Sequence, residues 1–266
     1  MDLDGPIMAN PATSRRALLA YALPYLVWIA FLVVFQLADS IGNPFPRSWA
    51  APSYALKSVL CAALLLALRP WRFGERPPIR PCTDVWPGLG VGLLVALLWI
   101  LPESPFFQTH ARPLCEAYNR WLVMPLGDYP GYYAPPIFPQ LPEGFSSLAF
   151  SPAEAGWPLA LARLLGSAFV IAVAEEYFFR GLVYRWIRAN DFTAVPLARY
   201  DAAAFWIVVG LFAIEHDRWF MGAVAGIAYG LLAIRSGRLR PAIVAHVTTN
   251  LVLGIYVLVS GQYGFW

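Results

Sequence analysis

Three short polar clusters interrupt apolar stretches in the second half of this 266-residue chain. They are EEYFFR at 175–180, FAIEH at 212–216 and HVTTN at 246–250. A charge at the centre of a bilayer costs about 2.5–3.5 kcal/mol even on insertion scales, so ionisable residues in such stretches are functional candidates. The clusters supply carboxylates, imidazoles, an amide and a guanidinium, which are groups that activate water and stabilise developing negative charge.

The first cluster contains two adjacent carboxylates and only one cation. Glu176 and Arg180 are four residues apart with the acid on the N-terminal side, which is the favourable orientation for a helical ion pair. Glu175 lies about 100° around the helix from Glu176, so the two carboxylates cannot serve Arg180 equally. An ion pair that only fixes helix packing would account for one carboxylate and the arginine. The other carboxylate would remain free to face the interior of the bundle.

The other two clusters each contain a histidine, and the chain has only three histidines. Asn250 follows His246 by four residues, so the two side chains share one helix face. A lone histidine in a membrane is more often an interhelical hydrogen-bonding group than a catalyst. Two such histidines, His216 and His246, together with an unpaired carboxylate favour a catalytic site. His110 has no such neighbours, and we predict that it lies on the surface.

These groups fit the hydrolysis of an amide by activated water. A carboxylate beside a neutral imidazole can hold and deprotonate a water molecule. His246 and Asn250 can both donate hydrogen bonds to an oxyanion on an attacked carbonyl. Zinc bound by Glu175, His216 and His246 is an alternative, because zinc favours histidine and carboxylate ligands in open catalytic sites. The ligand types leave both alternatives open.

Long apolar helices must position these groups. The composition is 59% hydrophobic and 13% charged, with a mean hydropathy of +0.56, whereas soluble domains carry about 25% charged residues. We therefore predict an all-α, polytopic transmembrane bundle of about seven to eight spans, forming one membrane domain over residues 1–266. Apolar runs place spans at 17–37, 54–68, 85–101, 157–184, 202–216, 219–234 and 241–259.

Arginines test this topology. They cluster before the first span and between spans two and three, four and five, and six and seven. The positive-inside rule makes that side cytoplasmic, so we predict a cytoplasmic N-terminus and a non-cytoplasmic C-terminus in the inner, or plasma, membrane. Counting about 1.5 Å per residue from these arginines allows the candidate groups to meet in one cavity in the inner half of the membrane. No basic stripe indicates nucleic-acid binding. The three cysteines form no CxxC pair and are odd in number, which argues against a disulfide framework or a cysteine-based metal site.

The segment 102–156 interrupts the spans on the outer side. It is rich in proline and aromatic residues, and proline at this density argues against a helix through the segment. We predict a non-cytoplasmic loop whose rings lie at the membrane interface or cover the bundle. A lid that contacts the substrate is the alternative.

The motifs EEYFFRG, FAIEH and HVTTN resemble, in order and on separate helices, the EExxxR, FxxxH and HxxxN signatures of the CAAX prenyl endopeptidase type II family, also known as CPBP or ABI intramembrane proteases. The resemblance covers a core at 161–259. It implies that Glu175 activates water, that His216 positions it, and that His246 and Asn250 stabilise the oxyanion. Glu176 and Arg180 would organise the site. The chain looks like a bacterial member, with the exosortase-associated type as one possibility.

The resemblance implies an intramembrane endopeptidase that acts near the C-terminus of a membrane-associated peptide or lipid-modified protein. Such families have been interpreted as metal-dependent and as metal-free; Asn250 favours the metal-free reading because an amide donates better than it ligates zinc. One rival hypothesis is a non-catalytic membrane scaffold or immunity protein that binds a partner on the same fold. A transporter with a Glu/His relay is another, and it would require polar residues that continue to the outer face.

Overall fold

The computed structural model describes residues 11–43, 45–73, 80–123 and 147–266 of the chain. Within these ranges the regular structure is helical and contains no strand. This result confirms the predicted all-α polytopic bundle. In a bilayer only helices and closed barrels satisfy their backbone hydrogen bonds, and the sequence had already favoured helices by the length of its apolar runs.

The helices follow the predicted spans closely. They are α1 (Pro11–Ser40), α2 (Ala50–Leu68), α3 (Trp86–Ile100), α4 (Pro105–His110), α5 (Arg112–Trp121), α6 (Pro152–Ala155), α7 (Trp157–Trp186), α8 (Ala202–Ile214), α9 (Trp219–Ser236) and α10 (Arg240–Ser260). Short helical turns connect or extend them at Arg47–Trp49, Pro70–Arg72, Pro81–Val85, Leu101–Glu103, Ser147–Phe150, Phe192–Ala194 and Tyr263–Phe265.

Among the described residues, six helices are long and apolar enough to cross a membrane: α1, α2, α3 with its flanking turns, α7, α9 and α10. The predicted fifth span corresponds to α8, which has only 13 residues. Asp201, just before α8, pairs with Arg188, and its backbone N–H donates to Tyr184. Arg218, just after α8, pairs with Glu103 beyond α3. Helix α8 therefore extends between the two ends of the bundle despite its length.

The segment after α3 differs from its prediction. Helices α4 and α5 occupy part of the stretch in which proline was expected to prevent helix formation. Proline lies in the first turn of both helices, where its missing N–H removes no intrahelical hydrogen bond. The most proline-dense part of the predicted loop lies in 124–146, outside the described residues.

Arginines mark one end of the bundle. Asp84, just before α3, is buried and pairs with Arg238 (3.2 Å) and Arg240 (2.9 Å) at the turn between α9 and α10. We call this end, which also holds the Arg188–Asp201 pair, the arginine-rich end. The opposite end holds Arg218, which hydrogen-bonds Glu103 and the carbonyl of Gly264.

Helix α10 packs tightly against α3 and thereby positions the HVTTN cluster. A Cβ atom at Gly92 would lie 2.5 Å from the carbonyl oxygen of Ala245, and one at Gly88 would lie 2.7 Å from a Val244 side-chain carbon. Small residues four apart let membrane helices approach closely. Because the two helices are this close, Thr249 can donate a hydrogen bond to the carbonyl of Gly92 (2.9 Å). The glycine face of α3 thus fixes the position of α10 in the bundle.

Candidate active site

The carboxylate of Glu176 is the buried centre of the site. Its side chain has no exposed surface, and its Oε1 atom accepts hydrogen bonds from Arg180 Nη1 (2.9 Å) and from His246 Nδ1 (3.0 Å). The i,i+4 ion pair expected from the spacing is therefore present. The contact with His246 joins α7 to α10, and the sequence did not predict it.

Arg180 is held by three kinds of contact. Besides Glu176, its Nη2 atom donates to the carbonyl of Gly226 on α9 (3.2 Å). Its guanidinium lies 4.3 Å from the centroid of the Phe212 ring on α8. Arg180 is 2% exposed, so these contacts replace the hydration of its two terminal nitrogens, while its Nε atom has no hydrogen-bond partner among the described residues. The pair with Glu176 thereby ties together α7, α8 and α9 around the site.

The imidazole of His246 lies between the two carboxylates. Its Nδ1 atom faces Glu176, while its Nε2 atom is 3.5 Å from Oε2 of Glu175. Because Oε1 of Glu176 is an acceptor, the hydrogen-bond network assigns a proton to Nδ1. The Tyr229 ring stacks on the imidazole with centroids 4.9 Å apart. His246 is therefore fixed in orientation, and its Nε2 atom donates only when the ring is an imidazolium.

Glu175 is the carboxylate that the ion pair leaves free. Its side chain is 13% exposed, in contrast to the fully buried Glu176, and it lines a cavity within the bundle. No hydrogen bond to it is formed by the described residues, apart from its approach to His246. This placement agrees with the prediction that one carboxylate pairs with Arg180 and the other stays free to face the interior of the bundle.

His216 lies just beyond the end of α8 and lines the same cavity. Its Nδ1 atom is 2.8 Å from the carbonyl oxygen of Phe212, which can only accept a hydrogen bond. The network therefore assigns the proton to Nδ1, and in the neutral ring Nε2 carries a lone pair. The Trp99 ring packs edge-on against the imidazole at 5.5 Å. His216 can accordingly accept a hydrogen bond from water.

Asn250 is also at the cavity wall, one turn after His246 on α10. Its Nδ2 atom donates to the carbonyl of Ser167 on α7 (2.9 Å). An amide nitrogen has two N–H groups, so one remains for a second acceptor. Asn250 thus has a structural contact that the sequence did not predict, and it keeps a donor.

All four predicted catalytic residues line one cavity of about 360 Å³. The structure brings these groups to one cavity, and its depth in the half of the membrane nearer the arginine-rich end stays a prediction. The cavity continues towards the opposite end, where its wall includes Phe150, Phe265 and Trp266. Residues of α1 and α2 complete the wall.

Wide helical turns in α7 bring its polar residues to the cavity. The segments Gly166–Ile171 and Glu176–Val183 are π-helical. In a regular helix of 3.6 residues per turn, every fourth residue drifts by about 40° around the axis. A π-helical turn contains more residues and reduces this drift. As a result, every fourth residue of α7 faces the same cavity over three successive steps: Arg163, Ser167, Ile171 and Glu175.

A zinc site would need a third ligand beside Glu175 and His246. The described residues contain no group of three histidine, cysteine, aspartate or glutamate side chains arranged to hold a metal ion. Nδ1 of His246 is directed to Glu176 and Nδ1 of His216 to a backbone carbonyl, so each ring has only its Nε2 atom available to a ligand, and these atoms are not grouped with Glu175 around one point. These side chains, as placed, do not fit the predicted three-ligand set, and we derive no step through a metal.

Sequence reasoning missed several residues of the cavity wall. Lys57 and Arg163 both line it, and Tyr229 supports His246. Lys57 is the only lysine in the chain and lies inside the predicted second span. Arg163 lies inside the predicted fourth span. A charge within an apolar run was therefore an available signal for both.

Two further features lie away from the predicted site. His110 is exposed and its ring contacts only its own helix, through Phe106, as expected for a surface residue. A second cavity of about 710 Å³ lies between α1 and α2, and its wall is apolar and aromatic with two serines. No ionisable side chain lines it among the described residues. The smaller cavity is therefore the one equipped for chemistry.

Comparison with known proteins agrees with the motifs. A family model described as "Type II CAAX prenyl endopeptidase Rce1-like" matches residues 157–252, a stretch that contains all six predicted site residues. Neither the curated proteins nor the solved structures gave a significant match to the chain. Over residues 157–252 this chain is therefore similar to the Rce1-like type II CAAX prenyl endopeptidases, a family of membrane-embedded proteases.

Proposed function

We propose that this protein is an intramembrane endopeptidase that hydrolyses a peptide bond near the C-terminus of a membrane-associated substrate. The observation that carries the proposal is the convergence of four polar groups on one cavity, from α7, the end of α8 and α10. A scaffold that only binds a partner does not require this convergence. Water is the nucleophile, because none of the motifs contributes a serine or cysteine.

Glu175 and His216 act on the water. Glu175 is the free carboxylate of the cavity and accepts the proton, while Nε2 of His216 accepts the second hydrogen of the same water and orients it. The water oxygen attacks the carbonyl carbon as its proton passes to Glu175. When the tetrahedral intermediate collapses, the C–N bond breaks and Glu175 returns that proton to the leaving amine.

His246 and Asn250 stabilise the oxyanion. With His246 as an imidazolium, its Nε2–H donates to the oxyanion, and the free N–H of Asn250 supplies a second donor. The imidazolium also balances the buried charge, because two carboxylates then face two cations, Arg180 and His246. Donors of this kind contribute about 10²–10³ in rate each.

The mechanism as proposed needs no metal. Its support is the placement of the groups: the described residues contain no group of three histidine, cysteine, aspartate or glutamate side chains that could hold a metal ion, and Asn250 contributes an amide at the cavity wall. Activity of a reconstituted sample should persist after treatment with a chelator that removes zinc. Loss of activity that zinc alone restores would contradict the metal-free mechanism.

The test of the function compares C-termini rather than one chosen substrate. Cells carrying the wild type, Glu175→Ala, His216→Ala or Arg112→Gln are profiled by mass spectrometry for the C-termini of membrane proteins. Arg112 is the matched control, because it forms an exposed surface pair with Glu116. We expect proteins trimmed by the wild type and the control to retain their last residues with Glu175→Ala, whose cleavage rate falls by about 10³-fold or more.

Removal of the oxyanion donor should have a smaller effect. Asn250→Ala should lower kcat by about 10² with little change in KM. Equal trimming by the wild type, Glu175→Ala and His216→Ala would contradict the proposed activity and favour the scaffold hypothesis.

We further infer that the arginine-rich end faces the cytoplasm of the cell whose inner, or plasma, membrane holds the protein. The support is the concentration of arginines at that end. Cys82 lies there and is exposed, whereas Cys61 and Cys115 are buried. A membrane-impermeant thiol reagent should label Cys82 only after the cells are permeabilised. Labelling of intact cells at Cys82 would reverse the orientation.

A further inference from the structure

Two cations lie in the wall of the active-site cavity, away from the proposed catalytic groups. Lys57 projects from α2 and Arg163 from the first turns of α7. The chain has nineteen basic residues, and its single lysine is the one placed here. Neither residue belongs to the three motifs, and the proposed mechanism uses neither.

Lys57 is buried but has no anionic partner. Its side chain is 6% exposed, so its amine does not reach the membrane surface. The Nζ atom lies 4.2 Å from the Trp28 ring centroid and 4.6 Å from that of Tyr54. No carboxylate of the described residues lies within 4 Å of it, although buried ammonium groups are normally paired.

Arg163 shares the Tyr54 ring with Lys57. Its guanidinium carbon lies 4.2 Å from that ring centroid and 5.1 Å from that of Phe150. Its Nε atom is buried and has no hydrogen-bond partner among the described residues. The other carboxylates of the cavity wall, Glu215 and Asp217, form no ion pair with it. Both cations thus contact the Tyr54 ring and keep N–H groups available to an acceptor.

This arrangement is unfavourable unless an anion completes it. Two neighbouring cations repel each other, and burial strengthens the repulsion by lowering the local dielectric. Aromatic rings compensate a desolvated cation by about 2 kcal/mol, which is less than the several kcal/mol that desolvation of an ion costs. A carboxylate between Lys57 and Arg163 would neutralise part of this charge and accept the unused N–H groups.

The distance between Arg163 and Glu175 along α7 is one that the C-terminal residues of a substrate peptide can span. Arg163 precedes Glu175 by twelve residues, which span at most about 18 Å because part of this stretch is π-helical, and both face the same cavity. An extended stretch of three residues spans at most about 11 Å. The side chains of Arg163 and Glu175 can bridge the remainder. A peptide whose C-terminal carboxylate lies at the two cations would therefore present a bond a few residues upstream to Glu175.

We propose that Lys57 and Arg163 form a carboxylate-binding subsite that receives the free C-terminus of the substrate. The proposal rests on the proposed endopeptidase function and deepens it. If the subsite holds the C-terminus of the substrate, the distance from that C-terminus determines which peptide bond is cleaved. A lipid phosphate is the other anion that such a subsite would attract, and the test separates the two.

The test measures binding in the absence of turnover. Glu175→Gln protein is placed in nanodiscs of phosphatidylcholine, which carries no net charge. The probe is an N-palmitoylated fluorescent peptide ending in Val-Ile-Ala, prepared as the free acid and as the carboxamide. We expect the acid to bind at least about tenfold more tightly than the amide, since hydrogen bonds to charged groups are the stronger ones. Addition of Lys57→Gln or Arg163→Gln should reduce this ratio to about one.

Controls separate loss of the subsite from loss of folding. Arg112→Gln should leave the acid-to-amide ratio unchanged, and Arg163→Lys, which keeps the charge but not the fork of donors, should retain part of it. Equal binding of acid and amide to the parent protein, or no binding of either, would overturn the proposal. So would displacement of both probes alike by phosphatidylglycerol, which would identify a lipid site.

The outcome is independent of the proposed catalysis. A preference for the acid without cleavage by the wild type would retain the subsite and remove the protease function. Cleavage of acid and amide at equal rates would retain the protease and remove the subsite.

Discussion

Two of the arginines of helix α7, Arg180 and Arg163, border the interior of the bundle, and their surroundings differ in kind. Arg180 pairs with Glu176, donates to the Gly226 carbonyl and packs on an aromatic ring. Arg163 packs on aromatic rings and forms no ion pair with the described residues, whereas the Nε atoms of both arginines lack a hydrogen-bond partner there. Both arginines border the same bundle interior. The difference lies in whether the protein itself supplies the anion.

This difference separates a structural charge from a binding charge. A cation that the fold neutralises contributes to packing, and removal of its partner leaves a buried charge uncompensated. A cation that the fold leaves without an anion, with only aromatic rings to compensate it, contributes little to stability, and we assign it to binding. The two sites thus predict stability losses of different size, and stability measurements can test the distinction.

The largest effect is expected where the neutralised pair is broken. Glu176→Gln removes the charge that compensates Arg180 and changes the acceptor of His246. We expect a loss of about 3–5 kcal/mol in the free energy of unfolding, as for other buried pairs that lose one partner. Unfolding in mixed micelles with increasing denaturing detergent would measure it. A change below about 1 kcal/mol would show that the pair is dispensable to the fold and would remove the contrast with Arg163.

The smaller effect is expected at the cation without an anion. Arg163→Gln should change the free energy of unfolding by no more than about 1 kcal/mol in the absence of peptide, because it breaks no ion pair. The same detergent titration measures it, with exposed Arg112→Gln as the reference for a surface substitution. Destabilisation comparable to that of Glu176→Gln would mean that Arg163 is part of the packing and not a binding group.

Local spacing was sufficient to predict part of the site. The i,i+4 separation of Glu176 and Arg180 depends only on helix geometry, and the pair is present at 2.9 Å. The helices themselves followed from the length of the apolar runs, since a membrane leaves few alternatives. The catalytic roles of Glu175, His216, His246 and Asn250 stay predictions, and their shared cavity is the structural support for them.

Contacts between distant segments could not be predicted in the same way. The hydrogen bond from His246 to Glu176 joins residues seventy positions apart, and that from Asn250 to Ser167 joins residues eighty-three apart. Both depend on how closely α10 approaches α7, which the glycine face of α3 helps to determine. The position of the cavity depends on the same packing. A single sequence specifies the groups but not these approaches.

The wide turn at Gly166–Ile171 has a consequence for how charges in membrane helices are interpreted. On a regular helical wheel, Arg163 would be plotted about 120° from Glu175. It would then be interpreted as a residue on the lipid-facing side whose guanidinium contacts the headgroups. One extra residue in a turn rotates all residues before the turn around the helix axis relative to those after it, and a helical wheel drawn with a constant angle per residue omits this rotation. A binding group that lines an internal cavity can therefore be mistaken for a membrane anchor. Helices with π turns need their polar positions assigned separately on each side of the turn.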